Sequence, residues 1–297
     1  MPRILVVIDP DEKEHSALNR IKEIPPSADV DYKVDLYVSP APLLASEASH
    51  ADVHIREKKT WLLELVAPLV RVGYRITTEV VVFSRLYEDI IRSARSFKAD
   101  LVFKPLRQHG VLKRVFYTST DWNLIRLCPT PILMVADQTN VHGKPVIAAI
   151  DVGDEDQAHK KLNRVVLQEA GLLSRVLQSE IHVVYAYGPA VVASRTAIAD
   201  PLAYQIARDK YDEDLGMARA LAAEFGIDAA CVHLREGVPD LVLNDYGTEV
   251  GAGVVVLGTV ARRGASGLFI GNTAEAVLEK TRMDMFVVKQ TGFSSPV

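Results

Sequence analysis

The fold of this chain is decided by Ile4-Leu5-Val6-Val7-Ile8-Asp9, a run that returns as Val146-Ile147-Ala148-Ala149-Ile150-Asp151 after 142 residues. In both copies the apolar run is continuous and does not alternate with polar residues. Continuous runs of this length are typical of strands that are covered on both faces, as in the parallel sheet of an α/β domain. The recurrence therefore predicts two related domains in one chain.

Two later apolar runs also recur, each after 154 residues. Leu101–Phe103 matches Val255–Leu257, and Ile132–Val135 matches Phe286–Lys289. The increase in spacing from 142 to 154 residues places about twelve extra residues between the first and fourth strands of the second copy. We expect this extra length in loops and helix ends, where insertions are tolerated.

Each copy alternates five apolar runs with longer segments of helical periodicity, such as residues 56–72 and 204–225. This alternation predicts an α/β fold with two tandem, doubly wound, five-stranded parallel sheets of the Rossmann-like kind. The predicted strands lie near residues 4–8, 34–38, 77–82, 101–103 and 132–135, and near residues 146–150, 181–185, 230–234, 253–257 and 286–288.

A polar, glycine-containing segment, Ala136–Lys144, separates the two copies. We therefore place one domain at residues 1–139 and the other at residues 140–297. Because the segment is short for a linker, we expect the two domains to pair within the chain. A homodimer stays open.

The composition narrows the range of partners and compartments. The 297 residues carry 34 basic and 38 acidic side chains, a net charge of −4, which argues against nucleic acid as the main partner. The two cysteines fall in different copies, as is typical of reduced thiols in a cytosol. No apolar stretch is long enough to cross a bilayer. We predict a cytoplasmic protein that has no membrane partner.

One loop has the composition of a phosphate-binding segment. It runs from Gly258 to Glu275, directly after a predicted buried strand, and leads into a helix that begins near Asn272. Glycines let a backbone approach a ligand closely, and the free N–H groups at a helix start favour an anion. Arg262 and Arg263 add positive charge. Asp151 ends the first strand of the same copy and points to the same sheet edge.

This segment resembles the ATP-binding signature of the universal stress protein family, Gly-x2-Gly-x9-Gly-(Ser/Thr). Gly258 and Gly271 match its first and third glycines, whereas Ala261 stands at the second glycine and Asn272 at the Ser/Thr. The resemblance covers the whole chain as two repeats and is closest to tandem, E-type members. Their characteristic motifs correspond to Thr118-Ser-Thr-Asp-Trp122, Cys128-Pro-Thr-Pro131 and Gly271-Asn-Thr-Ala-Glu275.

The resemblance implies a stress-response protein of the adenine nucleotide α-hydrolase-like fold, with a pocket for ATP or a related phosphate-bearing ligand. Asp151, Val152 and Ala186 would flank adenine and ribose, and the loop would face the phosphates. The full set of expected ligand-binding residues is Asp151, Val152, Ala186, Leu257, Gly258, Ala261, Arg262, Gly271, Asn272 and Thr273.

The first copy keeps the spacing of this loop without its glycines. At the distance of 154 residues, the three glycine positions of the signature hold Lys104, Arg107 and Tyr117. Their bulk removes the backbone cradle, so the basic side chains Lys104, Arg107 and His109 predict a solvated loop and a structural domain.

Two charged groups remain to be weighed. His50, Asp52 and His54 have helical spacing that would suit a metal, but such residues are more often solvated, and we predict no metal. Glu213 and Asp214 lie on a helix with alternating charges and predict an exposed face.

Together, the residues and the resemblance predict a non-enzymatic protein without catalytic residues, whose second domain binds ATP or another phosphate-bearing small molecule. Neither Asp9 nor Asp151 is followed by the His-x-Gly-His or Ser-Gly-Gly-x-Asp motif of adenylyl-transfer and pyrophosphatase enzymes. Two alternatives stay open: a tandem scaffold that binds no nucleotide, and an enzyme that hydrolyses nucleotides slowly.

Overall fold

The structure is a computed structural model that divides into two units, Met1–Asp137 with Ser294–Val297, and Gln138–Phe293. The predicted domain boundary adjoins residues 137–139, which lie outside the described part. The described residues are 2–10, 12, 14–27, 29–40, 48–109, 114–116, 118–136, 140–153, 156–188, 201–259, 262–264, 267–269, 276–277 and 281–297.

The first unit contains a parallel sheet in the order β7-β4-β1-β2-β3. Its strands are β1 (Arg3–Ile8), β2 (Asp31–Val38), β3 (Arg75–Val82), β4 (Leu101–Pro105) and β7 (Ile132–Val135). Its helices are α1 (Ser16–Ile21), α2 (Ala48–Arg71), α3 (Leu86–Phe97) and α4 (Ser119–Leu127).

The second unit repeats this arrangement in the order β10-β9-β8-β11-β14. Its strands are β8 (Val146–Ala149), β9 (Ile181–Tyr187), β10 (Val232–Glu236), β11 (Val254–Thr259) and β14 (Asp284–Lys289). Its helices are α5 (Gln157–Leu177), α6 (Pro201–Ala223) and α7 (Pro239–Val250), with a short 3-10 turn at Ala229–Cys231. Two five-stranded parallel sheets are thus present, which confirms the predicted fold class.

The central strands are buried because helices cover both faces of each sheet. Leu5, Val6, Val146 and Ile147 have no exposed surface, as their continuous apolar runs predicted. The edge strand β3 differs, because it alternates between exposed and half-buried residues along its length. None of the described helices is long and apolar enough to cross a membrane.

Each unit also forms a small antiparallel hairpin after its fourth sheet strand. Strands β5 (Arg107–His109) and β6 (Arg114–Phe116) pair in the first unit, and β12 (Arg262–Gly264) and β13 (Gly267–Phe269) pair in the second. The sequence predicts loops in both segments, because three-residue strands are too short to show a periodic pattern.

Candidate functional site

Four predicted site residues lie at the carboxyl edge of the second sheet. Asp151 follows β8, Ala186 lies near the end of β9, and Leu257 and Gly258 lie near the end of β11. These parallel strands are neighbours, and the strand order reverses at β8, which has β9 on one side and β11 on the other. Ligands of open α/β sheets bind at such a reversal, outside the carboxyl ends of the strands.

The turn after β8 is held by a buried amide. The backbone N–H of Asp151 donates to Oδ1 of Asn163 at 3.1 Å, and Nδ2 of Asn163 donates to the carbonyl oxygen of Asp151 at 2.6 Å. Asn163 lies on helix α5 and is 7% exposed. Two hydrogen bonds from one rigidly packed side chain fix the direction in which the chain leaves β8, while Asp151 itself stays exposed.

A tyrosine closes the other side of this turn. The N–H of Gly153 donates to the Asp151 carboxylate at 3.1 Å, and a Cβ atom at Gly153 would collide with the hydroxyl of Tyr185. Burial, followed by the nearby charges of Asp151 and Asp214, raises the pKa of Tyr185 to about 12. Tyr185 is therefore a neutral hydroxyl at neutral pH, suited to hydrogen bonding and not to acting as a base.

The position of Asp214 differs from the exposed face that the sequence predicts. Glu213 is exposed as predicted, but the Asp214 side chain is only 7% exposed and lies 3.0 Å from Nζ of Lys210. The prediction of an exposed face was wrong for Asp214, because successive helical residues point in different directions and Asp214 turns toward β9. Its charge acts on Tyr185, one residue before Ala186.

Gly258 is required by packing. A Cβ atom at this position would lie 2.5 Å from Cγ of Leu162, a buried residue of helix α5. The first glycine of the expected signature therefore brings a helix close to the strand. Its presence does not by itself indicate a phosphate.

A buried lysine lies at the end of the neighbouring strand. Nζ of Lys289 donates to Oγ1 of Thr259 at 2.7 Å and lies 5.6 Å from the ring centroid of Phe293. Lys289 is 8% exposed, and Thr259 is the residue that precedes the undescribed part of the loop. The second unit thus holds a positive charge at the edge where the candidate ligand loop begins.

Part of the predicted site lies outside the described residues. This applies to Ala261, Gly271, Asn272 and Thr273. The backbone of Arg262 pairs with Phe269 in the hairpin β12–β13. Val152 and Ala186 are half-exposed beside the turn.

The corresponding edge of the first unit is occupied by an internal ion pair. Nζ of Lys104 lies 2.6 Å from Oδ1 of Asp121 and donates to the carbonyl oxygen of Pro105 at 2.7 Å. Both charged side chains are buried. The prediction of a solvated basic loop was therefore wrong for Lys104, because its carboxylate partner follows 17 residues later and no local pattern indicates the contact. The side chains of Arg107 and His109, and Tyr117 as a whole, lie outside the described part.

Asp121 also forms the hydrogen bonds that cap the start of helix α4. Its Oδ2 accepts hydrogen bonds from the backbone N–H of Thr118 at 2.7 Å and from the Thr118 hydroxyl at 2.8 Å. The N–H of Asp121 donates to Oγ1 of Thr118 at 3.2 Å, which completes a capping box. The place where a phosphate would meet this helix is thus filled by the protein's own carboxylate.

His50, Asp52 and His54 lie in helix α2, where Asp52 is exposed and His54 is half-buried. Among the described residues, no group of three or more histidine, cysteine or acidic side chains is arranged to hold a metal ion.

Sequence reasoning missed Asn163, Tyr185 and Lys289. Asn163 interrupts the buried face of helix α5, Tyr185 lies among the buried residues of β9, and Lys289 ends the buried strand β14. A polar group next to apolar residues was the available signal. A buried polar side chain must find a partner, so such interruptions often mark residues that hold a turn or a site.

Comparison with known proteins gives consistent matches over both copies. The model of the universal stress protein family matches residues 1–136 and 144–289. Universal stress protein E of Escherichia coli (strain K12) is 34% identical over 308 aligned residues, covering 99% of this chain and 96% of that protein. The corresponding protein of Photorhabdus laumondii is 32% identical, covering 99% of this chain and 96% of that one.

Two solved structures superimpose on this chain over nearly its whole length. A functionally unknown protein of Pseudomonas aeruginosa PAO1 superimposes with a TM-score of 0.77 at 28% identity, covering 97% of this chain and 92% of that one. A universal stress protein of Archaeoglobus fulgidus superimposes with a TM-score of 0.62 at 16% identity, covering 96% and 98%, and shares the fold.

Proposed function

This chain belongs to the universal stress protein family as a tandem member that serves the stress response, and we propose that its second domain binds ATP or a related phosphate-bearing molecule without catalysing a reaction. One observation carries the proposal. Asp151, Ala186 and Gly258 lie at the ends of adjacent parallel strands, at the point where the strand order reverses.

The base and ribose would lie against the turn after β8. Asn163 holds the Asp151 backbone in place, which leaves the exposed carboxylate free to accept hydrogen bonds from ribose hydroxyls. Half-exposed Val152 and Ala186 offer small apolar surfaces beside it. Preorganisation of this kind favours binding, because the turn loses little freedom when a ligand arrives.

The phosphates would lie against the loop after β11. By the spacing of 154 residues, Asn272 and Glu275 correspond to the helix-capping residues Thr118 and Asp121 of the first unit. This correspondence supports a helix start near Asn272, with Gly271 just before it. A helix start that follows a glycine provides backbone N–H groups for an anion. Lys289 adds positive charge at the same edge.

A non-enzymatic role is supported by the side chains around the turn. Asp151 points into solvent, and Tyr185 stays protonated at neutral pH, so neither is a poised general base. The proposed role of the ligand is to order the loop at residues 260–270 and thereby to bias recognition of a partner protein.

Calorimetric titration tests the proposal. ATP, ADP and pyrophosphate are titrated into the wild type, into Gly271→Glu and into Gly216→Glu. We expect ATP binding by the wild type and a loss of at least tenfold in affinity for Gly271→Glu, because a carboxylate would enter the phosphate position. Gly216→Glu should bind like the wild type, because Gly216 is exposed on helix α6 and its Cβ position is open.

The other outcomes separate the alternatives. Absence of binding to all three ligands would leave a scaffold without nucleotide. Equal binding by Gly271→Glu and the wild type would move the site away from this loop. Release of inorganic phosphate from ATP, abolished by Gly271→Glu, would favour a slow hydrolase.

A further inference from the structure

The first unit has a cavity of about 380 Å³ at the carboxyl edge of its sheet. This volume lies within the range of small-molecule sites. The strand ends of β1 and β2 form one side, and helix α2 forms another. The sequence predicts a purely structural domain here, and the cavity has no role in the function proposed above.

The cavity has an apolar wall. Ile8 and Val38 are buried at the ends of β1 and β2, and Phe83 and Leu86 are half-buried around the start of helix α3. Such surfaces favour a ligand with an apolar or aromatic body, because its transfer from water is favourable in proportion to the area that it buries.

A cationic side chain on helix α2 lines the cavity. Lys58 and His54 both line the cavity and are half-buried, four residues apart on one face of helix α2. Within the described ranges, Lys58 makes no ion pair, whereas the charge of Lys104, which also lines the cavity, is matched by Asp121. Lys58 would therefore meet an anionic group on a ligand.

Three features argue against a nucleotide polyphosphate in this cavity. Lys104 stands where the second unit has Gly258, and Asp121 occupies the start of helix α4. Asp9 also lines the cavity and adds a negative charge near the end of β1. A single anionic group can lie beside Lys58, whereas a chain of phosphates would also meet the carboxylate of Asp9.

We propose that the first domain is a second ligand-binding site, selective for a small organic monoanion with an apolar body, whose anionic group pairs with Lys58. The two domains would then bind ligands of different chemical classes. This site in the first domain does not depend on nucleotide binding by the second domain, because all of its lining residues belong to the first unit.

A matched pair of fluorescent probes tests the site. 1-Anilinonaphthalene-8-sulfonate is an aromatic monoanion, and N-phenyl-1-naphthylamine is the same molecule without the sulfonate. Trp61 and Trp122, the two tryptophans of the chain, both lie in the first unit, so energy transfer from tryptophan reports binding there. The full-length protein is titrated with each probe, with and without saturating ATP.

The key variant is Lys58→Gln, and Lys59→Gln is its control, because Lys59 is exposed on the same helix and does not line the cavity. We expect Lys58→Gln to weaken binding of the sulfonate probe at least fivefold and that of the neutral probe less than twofold. Lys59→Gln should change neither. ATP should leave the difference between the two lysine variants intact.

A second variant tests the cavity itself. Ser39→Trp places an indole at an exposed rim position and should abolish energy transfer to both probes, with its fold checked by circular dichroism. The site is overturned if the Lys58→Gln and Lys59→Gln variants affect the sulfonate probe equally. It is also overturned if folded Ser39→Trp binds both probes like the wild type.

Discussion

Gly258 and Leu162 are in such close contact that a Cβ atom on Gly258 would lie 2.5 Å from Cγ of Leu162. Helix α5 therefore rests directly on the backbone of β11. The same helix carries Asn163, which holds the turn after β8. Helix α5 thus packs against β11 and also holds the turn after β8. Packing and site geometry are therefore coupled in the second unit.

Gly258→Ala should destabilise the second unit by about 1–3 kcal/mol, because the new methyl group must displace Leu162 or β11. Thermal unfolding followed by circular dichroism measures the loss. Gly216→Ala is the control: nothing lies within 4 Å of its Cβ position in helix α6, and it should be stabilising by up to about 1 kcal/mol. Equal melting temperatures for Gly258→Ala and the wild type would show that helix α5 yields without cost.

Breaking the buried ion pair between Lys104 and Asp121 should destabilise the first unit. Lys104→Met or Asp121→Asn alone should lower the free energy of unfolding by about 3–5 kcal/mol, because each leaves a buried charge without its partner. The double variant should lose much less than the sum. Urea unfolding followed by tryptophan fluorescence measures this unit, since both tryptophans lie in it.

An exposed ion pair serves as the reference for that experiment. Arg92 lies 2.7 Å from Glu88 with its side chain 55% exposed, so Arg92→Met should cost no more than about 1 kcal/mol. If Lys104→Met were as mild as Arg92→Met, the buried pair would contribute little to the stability of the first unit.

Asn163→Ala should destabilise the second unit by about 1–3 kcal/mol, because the N–H and carbonyl groups of Asp151 lose their partner. Asn163→Asp should cost at least as much, since a carboxylate cannot donate to the Asp151 carbonyl oxygen. Gln168→Ala, exposed on the same helix, should be neutral in the same circular dichroism melts. Asn163→Asp as stable as Gln168→Ala would contradict the role of the amide.

The burial of Asp35 predicts that the stability of the first unit depends on pH. It is fully buried, and Ser93 and Lys33 contact it, with Lys33 Nζ at 3.3 Å. Burial raises the pKa of Asp35 above its ordinary value of 3.8, despite the opposing contacts from Ser93 and Lys33. A raised pKa in the folded state means that the protonated form is favoured there, so stability falls as the pH rises above 3.8 through the raised value.

Asp35→Asn removes this titration. The variant should therefore gain in stability relative to the wild type as the pH rises from 4 to 7, as measured by urea unfolding with tryptophan fluorescence. Lys33 retains Glu79 at 2.6 Å as its partner in the variant. A difference in the free energy of unfolding, variant minus wild type, that stays constant over this range or decreases toward pH 7 would contradict the assigned direction.

The repeat and its periodicity were enough to predict two five-stranded parallel sheets. Continuous apolar runs such as Ile4–Ile8 and Val146–Ala149 have one compatible environment, a strand covered on both faces, and the sheets have this form. The hairpins after β4 and β11 were missed, because pairing over three residues has no periodic signature.

Charges were harder to interpret than apolar runs. Lys104 belongs to a segment with basic residues and Asp214 to a helix with alternating charges, which predicts exposure for both, yet both are buried. Lys104 pairs with buried Asp121, and Asp214 pairs with exposed Lys210. Whether Asp121 and Asp214 are buried is decided by which helix face meets the sheet. A count of local charges carries no information about that face.

The amino-acid sequence by itself determined the family, the tandem arrangement and the sheet edge at which Asp151 and Gly258 lie, because hydrophobic periodicity and motif spacing are local properties. Only the tertiary structure decided that Leu162 requires Gly258, that Asn163 holds Asp151, and that Lys104 and Asp121 fill one edge beside a cavity facing Lys58. Each of these contacts joins residues that are distant in the sequence. They meet only when complete helices pack against the sheet, and the free energy of that packing is a property of the whole domain.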